Sequence, residues 1–175
     1  MNKRIFFALN FPQETKTEIF ETFSKRLNSE ELKKTEEENI HITLVFLGYF
    51  NEEGIKEIQE KAEEIKAKKF KVLIEGINRF NSKVIFLKTK TEKNEINELH
   101  EKICELLEIK DKKFKAHATI IRNKKMDSTE FIELAEKLNE ISFRKEIEIT
   151  YFDLMESVLL SSGPEYKKII SFELF

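Results

Sequence analysis

The chain has 175 residues, of which 40% are hydrophobic and 37% charged, and its net charge is −2. That length can bury a sizeable core as one domain or as two small lobes sharing a core, and with 4 Gly and 2 Pro the composition excludes a disordered chain and a fibrous repeat. A slightly acidic total also argues against a protein that coats nucleic acid through a general positive field.

The opening MNKRIFFALNFP has a basic start and a short apolar run. Asn10 interrupts that run, Pro12 ends it and no small-residue cleavage site follows, so it reads as a first strand rather than a signal peptide. Every apolar run, VIFL at 84–87 included, is far shorter than the roughly 20 residues a spanning helix needs, so no membrane segment is expected. Alternating or continuous apolar stretches predict strands at about 3–11, 39–48, 70–79, 83–90, 116–122, 142–155 and 165–174. Helical spacing predicts a first helix from Pro12 to about Asn28, with Ile19, Phe20, Phe23 and Leu27 inward. A second covers about 52–67 on Ile55, Ile58, Ala62 and Ile65, and a third about 92–109 on Ile96, Leu99, Ile103 and Leu106. A fourth, 128–140, is opened by Asp127 or Ser128 as N-cap and buries Phe131, Leu134, Ala135 and Leu138. NRFNSK at 78–83 reads as the turn of a β-hairpin. Sixteen Phe and no Trp point to a core built largely on phenylalanine.

The only cysteine, Cys104, lies in the third helical pattern, where it reads as a small buried hydrophobe rather than a nucleophile. With no internal disulfide available, a reducing cytoplasm is the expected setting. From Lys110 to Lys125 the chain carries Lys110, Lys112, Lys113, Lys115, Arg122, Lys124 and Lys125 against the single acid Asp111, a local positive stretch in a balanced chain.

Two of the three histidines share one pattern: HITL at 41–44 and HATI at 117–120, each inside a predicted strand. With 10 threonines in the chain, chance would produce this in about one sequence in a hundred, so the pair marks a site. Residues two apart on a strand face the same side, so His41 with Thr43, and His117 with Thr119, each set an imidazole beside a hydroxyl. The alternate residues Ile40, Ile42, Leu44 and Phe46 would then form an apolar face for helices to cover.

An imidazole can act as acid or base near neutral pH, so two on matching strands suit phosphodiester hydrolysis, one activating water and the other protonating the departing oxygen. Threonine hydroxyls can donate to the non-bridging phosphate oxygens, and an arginine can neutralise the charge that builds there. A zinc site would need a third ligand at suitable spacing, which neither copy supplies, so no metal is expected. His100, flanked by acids in NELHEK and without a threonine partner, reads as a surface histidine.

At these two motifs the chain resembles the 2H phosphoesterase superfamily, and within it the RNA 2',3'-cyclic phosphodiesterase group, also called 2'-5' RNA ligase-like. RIFFALNFP, NIHITLVFLG, FNSKVIFL, FKAHATIIR and ESVLLSSGPEY fall in that family's order, so the likeness runs through nearly the whole chain. It implies an α+β fold as a single bilobal domain over 1–175, with two antiparallel sheets related by a pseudo-twofold axis around a central groove and helices outside. The reaction it implies needs no metal and no cofactor: a 2',3'-cyclic phosphate on an RNA end or a small cyclic nucleotide opens to a 2'-phosphate, with reversible 2'-5' RNA ligation as a further reaction of the family. By matching positions, His41 is the proton donor, His117 the proton acceptor, and Thr43, Thr119 and Arg122 bind the substrate phosphate, in a monomer without membrane attachment.

Arg122 stands an odd number of residues after His117, so a strand end or bulge must turn it inward. Val45 replaces a basic residue common in relatives, LKKTEEEN lacks their usual aromatic, and Ala116 and Ala118 stand where Pro and Ile are common. These departures leave substrate choice open between RNA ends and other cyclic or 2'-5'-linked nucleotides. The other class of reading is a non-catalytic module that binds RNA ends or nucleotides in the same groove.

Overall fold

A computed structural model describes residues 1–161 and 163–175. Strand β1 (Lys3–Asn10) leads into α1 (Gln13–Ile19), which widens into a π-helical turn at Phe20–Ser24. Then come β2 (Leu32–Lys34), a 3₁₀ turn (Glu37–Asn39), β3 (His41–Phe50) and α2 (Glu52–Ala62). The hairpin β4 (Phe70–Phe80) and β5 (Val84–Lys90) is followed by α3 (Glu95–Leu106) and β6 (His117–Asn123). The chain closes with α4 (Ser128–Asn139), β7 (Arg144–Ile149), β8 (Tyr151–Leu160) and β9 (Gly163–Glu173).

The strands run in the order β7-β4-β5-β6-β3-β1-β8-β9, with β2 beside β6, and every pairing is antiparallel. The order is palindromic in role. One half reads β3-β1-β8-β9 and the other β6-β5-β4-β7, each led by a His-x-Thr strand. Among the described residues the two are joined at the single pair Ile42 and Ala118, so the two expected sheets meet as lobes of one curled sheet. β4 follows the first histidine strand in sequence yet lies in the second lobe, while β8 and β9 return to the first. Each lobe is therefore completed by strands from the other half of the chain.

A continuous core lies between sheet and helices, with Ile5, Phe7, Leu9, Ile42, Ile74, Leu87, Ile120, Phe131 and Phe152 all but inaccessible. Their number and shape make it the main stabilising element. The opposite face of the first lobe carries a small cluster of Phe6, Ala8 and Met155 with Tyr166 against it. Asp127 caps α4 by accepting from the Thr129 and Glu130 amides, and Asn51 caps α2 through the Gly54 amide.

The predicted strand at 142–155 is two strands: the chain breaks at Thr150, so that β7 borders the second lobe and β8 enters the first. The second helix stops at Ala62, short of the expected 67. β2 went unpredicted because three residues, two of them lysines, carry too little periodicity.

Phe46 is 49% exposed rather than covered by helices. Phe7 pairs with Val45 and Ala8 with Thr43, which leaves Leu44 as an extra residue in β3 and reverses the alternation beyond it. Leu44 and Val45 are both buried, and Phe46 turns to the other face, where the Arg4 guanidinium lies 4.6 Å from its ring centroid.

His100 is not at the surface: it is 3% exposed. It lies one turn from Ile96, Ile103 and Cys104, on the buried stripe of α3, and the acids beside it in sequence point elsewhere. Its Nδ1–H donates to the carbonyl of Leu44, the bulged residue, at 2.9 Å, and its ring stacks on Phe114 at 3.9 Å. Cys104 is buried beside it with its sulfur 3.6 Å from Nε2, and burial pushes its thiol up. Replacing His100 by Ala strands a buried acceptor and removes the stack, and should destabilise the fold by about 2–4 kcal/mol in urea unfolding. A loss under about 0.5 kcal/mol would show that the bulge holds without it.

Candidate active site

The contact between β3 and β6 builds the site. Ile42 and Ala118 pair across it with their side chains in the core, so the residues on either side of each point the other way, into the groove. Continuing the antiparallel register sets His41 towards Thr119 and Thr43 towards His117. The two His-x-Thr pairs thus form a diagonal quartet about the pseudo-twofold axis.

Each imidazole is held by the same device. His41 Nδ1–H donates to the carbonyl of Asn39 at 2.7 Å, and His117 Nδ1–H donates to the carbonyl of Lys115 at 2.6 Å, two residues back in both copies. This fixes the tautomer and leaves each Nε2 as the reactive nitrogen. The Nε2 of His41 accepts from the Thr43 hydroxyl at 2.9 Å. Aromatic rings brace both: Phe6 and Tyr166 each lie 5.2 Å from His41, and Phe80 and Phe86 lie 4.9 and 5.2 Å from His117.

Burial of His41 among these groups pushes its pKa down to about 4, with the charges of Lys16, His117 and Arg122 adding to the effect and the Asn39 carbonyl opposing it. His117 is also lowered, again chiefly by burial, with Arg122 contributing. Both rings are therefore poised as neutral groups in the free protein. Burial raises Tyr166, which stays a neutral phenol.

Arg122 reaches the groove by a second bulge. Ile85 pairs with Ile121 and Phe86 with Thr119, leaving Ile120 as the extra residue, so the odd spacing after His117 is absorbed as it is after His41. The two bulged carbonyls are both satisfied: Leu44 by the His100 ring and Ile120 by the Thr35 amide at 2.8 Å. Beyond each bulge the same backbone slot carries Phe46 in one lobe and Arg122 in the other.

The groove encloses about 420 Å³ and is lined by all five residues singled out in sequence, His41, Thr43, His117, Thr119 and Arg122. Its outer walls are β2, with Lys33 and Lys34, and the β8–β9 hairpin, with Pro164 and Tyr166. Of the basic stretch 110–125, Arg122 alone of the cations lines this groove among the described residues. Sequence reasoning missed Lys33, Lys34, Phe6, Phe80, Phe86 and Tyr166. Phe6 carried a usable signal, since in IFFAL strict alternation sets it opposite Ile5 and Phe7; the lysines carried none. The arrangement offers two proton-transfer nitrogens, two hydroxyl donors and a guanidinium around one space, which suits a tetrahedral anion. Among the described residues no three His, Cys, Asp or Glu side chains converge as a metal centre would require, and no helix is long and apolar enough to cross a membrane.

The sequence pattern of one family, LigT like Phosphoesterase, matches residues 10–86 and again residues 87–166, one match for each His-x-Thr strand. A protein of Archaeoglobus fulgidus named RNA 2',3'-cyclic phosphodiesterase is 32% identical over 97% of this chain and 99% of its own length. One of the same name from Methanocaldococcus jannaschii is 30% identical over 95% of this chain and 98% of its own. In fold, the chain matches Escherichia coli LigT crystallised with 3'-AMP at a TM-score of 0.82 and 21% identity, with 99% of both chains covered. Two matches of one family pattern, each containing a His-x-Thr strand, place this chain in the LigT-like phosphoesterase family.

Proposed function

We propose that the protein hydrolyses 2',3'-cyclic phosphates on RNA ends or small cyclic nucleotides, leaving a 2'-phosphate and a free 3' hydroxyl. The observation that carries this reading is the pair of tautomer-locked imidazoles whose Nε2 atoms serve one groove, each with its own threonine. The names of the archaeal relatives support the substrate.

His117 Nε2 takes a proton from water as the water oxygen bonds to phosphorus, the bond from phosphorus to O3' breaks, and His41 Nε2 gives O3' its proton. Thr43, Thr119 and Arg122 hold the non-bridging oxygens as negative charge grows on them. Donation by His41 requires that it first gain a proton, and the phosphate's own charge supplies the attraction that offsets burial. Once protonated, its Nε2 can no longer accept from Thr43, which frees that hydroxyl for the phosphate. With a 5' hydroxyl in place of water, the same steps bond its oxygen to phosphorus as O3' leaves and give a 2'-5' linkage, which the reverse steps split. One chain carries every group named, and we take it to act as a monomer in a single bilobal domain, with the cytoplasm as its setting.

Burial lowers both imidazoles, and the opposite assignment, with His117 as donor, fits the same geometry. A substrate with sulfur in place of O3' separates the two, since a thiolate leaves without a proton donor. With His41 as donor, that substrate restores the His41→Ala rate and not the His117→Ala rate; the converse reverses the roles.

An oligonucleotide ending in a 2',3'-cyclic phosphate, incubated in EDTA, should yield a 2'-phosphate, and His41→Ala or His117→Ala should lower kcat by about 10²-fold or more. Full turnover in either variant would sink the reading, and binding without turnover by the unaltered protein would point to a non-catalytic module. Arg122→Ala should lower kcat/KM by about 10–10³-fold.

Because folding lowers both histidine pKa values, the form with one proton shared between them exists only on the acid side of about 6.5. The pH profile of kcat/KM should therefore be bell-shaped with its alkaline limb at or below that value; a limb above pH 8 would contradict it. The same displacement means that His41 binds its proton more readily unfolded than folded. Stability is then present above about pH 6.5 and lost as pH falls towards 4, and His41→Gln should flatten that fall in denaturant unfolding.

A further inference from the structure

Lysine is seldom buried, because taking its ammonium out of water costs several kcal/mol unless its protons find partners. Lys16 of α1 is nevertheless 8% exposed. Its Nζ donates to the carbonyl of Glu38 at 2.7 Å and approaches the Asn10 side-chain oxygen at 3.5 Å. The Asn10 amide donates to Asp153 at 2.7 Å, and the other oxygen of that 4% exposed carboxylate accepts from the Ser171 hydroxyl. An ammonium and a carboxylate are thus joined through one asparagine, and Asn10 is the residue directly opposite His41 in the β1–β3 ladder.

Glu38 belongs to the 3₁₀ turn whose next residue, Asn39, offers its carbonyl to His41 Nδ1. That turn is gripped on its other side by the Asn39 amide donating to the Pro164 carbonyl of the β8–β9 hairpin at 2.8 Å. In the second lobe the residue opposite His117 is Lys88 rather than an asparagine, and the charge that acts on that ring is Arg122. The pseudo-symmetry is broken in what stands beside each histidine.

We propose that Lys16 is a positioning residue for His41: braced by Asn10 and Asp153, it holds the turn that grips the imidazole and keeps a positive charge behind it. His41 then gains a proton when an anionic phosphate enters the groove and loses it when the groove empties. This rests on the reading that a phosphodiester binds between the two histidines. The charges acting on His41 are Lys16 from α1 and His117 and Arg122 from β6, with Tyr166 of β9 against its ring, and those acting on Lys16 are Asp153 from β8, Glu38 from the turn and Lys168 from β9. Burial lowers the pKa of Lys16 itself, yet Asp153 and Glu38 act to keep it charged.

The test follows His41 by nitrogen-15 NMR of the imidazoles alongside kinetics on a 2',3'-cyclic nucleotide. In Lys16→Met the His41 titration midpoint should rise by about half a pH unit or more. kcat should fall about tenfold or more, while KM stays within about threefold. Lys16→Arg, which keeps the charge, should hold the midpoint near that of the unaltered protein and recover most of the rate. The pair K16M/D153N removes both buried charges together, so it folds without an unpaired carboxylate and should show the same upward shift. A midpoint unchanged in both Lys16→Met and the double variant overturns the proposal, as does a Lys16→Met enzyme with unaltered kcat. Failure of the unaltered protein to open any 2',3'-cyclic phosphate would instead overturn the functional reading, and the titration would still decide the role of Lys16.

Discussion

The site depends on one antiparallel contact, the pair Ile42 and Ala118 where β3 meets β6. Both side chains are fully buried, and because a strand alternates, committing them to the core commits their neighbours to the groove. Small Ala118 against branched Ile42 lets the strands approach at the axis of the molecule. A slip of one residue in either strand would turn an imidazole and a hydroxyl into the core, where neither would find its partners. The helices outside and the strands exchanged between lobes serve to hold that register.

Alternation alone would make a flat quartet with no guanidinium beside it. The bulges at Leu44 and Ile120 change that, by reversing the alternation after each motif so that the fifth residue beyond the histidine returns to the face that bears the histidines. A bulge leaves a carbonyl without its ladder partner, and here His100 and the Thr35 amide supply the missing donors. The lobes then diverge in chemistry at equivalent places. Arg122 and the lysines of β2 make one end cationic, while Phe46 under Arg4 makes the other a stacked pair. Under His41 lies the Lys16, Asn10 and Asp153 network, and under His117 a cage of two phenylalanines. Two imidazoles in one repeated motif thereby stand in different surroundings, although burial lowers the pKa of both.

Much of this was legible in the residues. The apolar stripes of the four helices, the hairpin at 78–83, the Asp127 cap and the strands bearing His41 and His117 follow from local periodicity, which a short window contains. Arg122 was legible as a problem, since its odd spacing demanded a bulge before any coordinates existed. His100 was misread because its sequence neighbours are acidic, although its helical neighbours Ile96 and Cys104 place it on the buried stripe. Phe46 was misread because a bulge is a property of two strands, visible only when β1 is set beside β3. β2, Tyr166 and Lys16 were not legible at all, as each matters through a contact with a residue distant in the chain.

By itself the sequence determined which residues could share a face and which chemistry they carry, because side-chain direction along a strand or helix is a local consequence of backbone geometry. The duplicated His-x-Thr pattern therefore announced two imidazoles and two hydroxyls, each pair on one face of a strand. Only the tertiary structure decided how those groups differ from one another. Burial, a lysine behind one ring and the direction of a guanidinium arise where segments far apart in sequence meet, and electrostatic environment is a sum over space rather than along the chain.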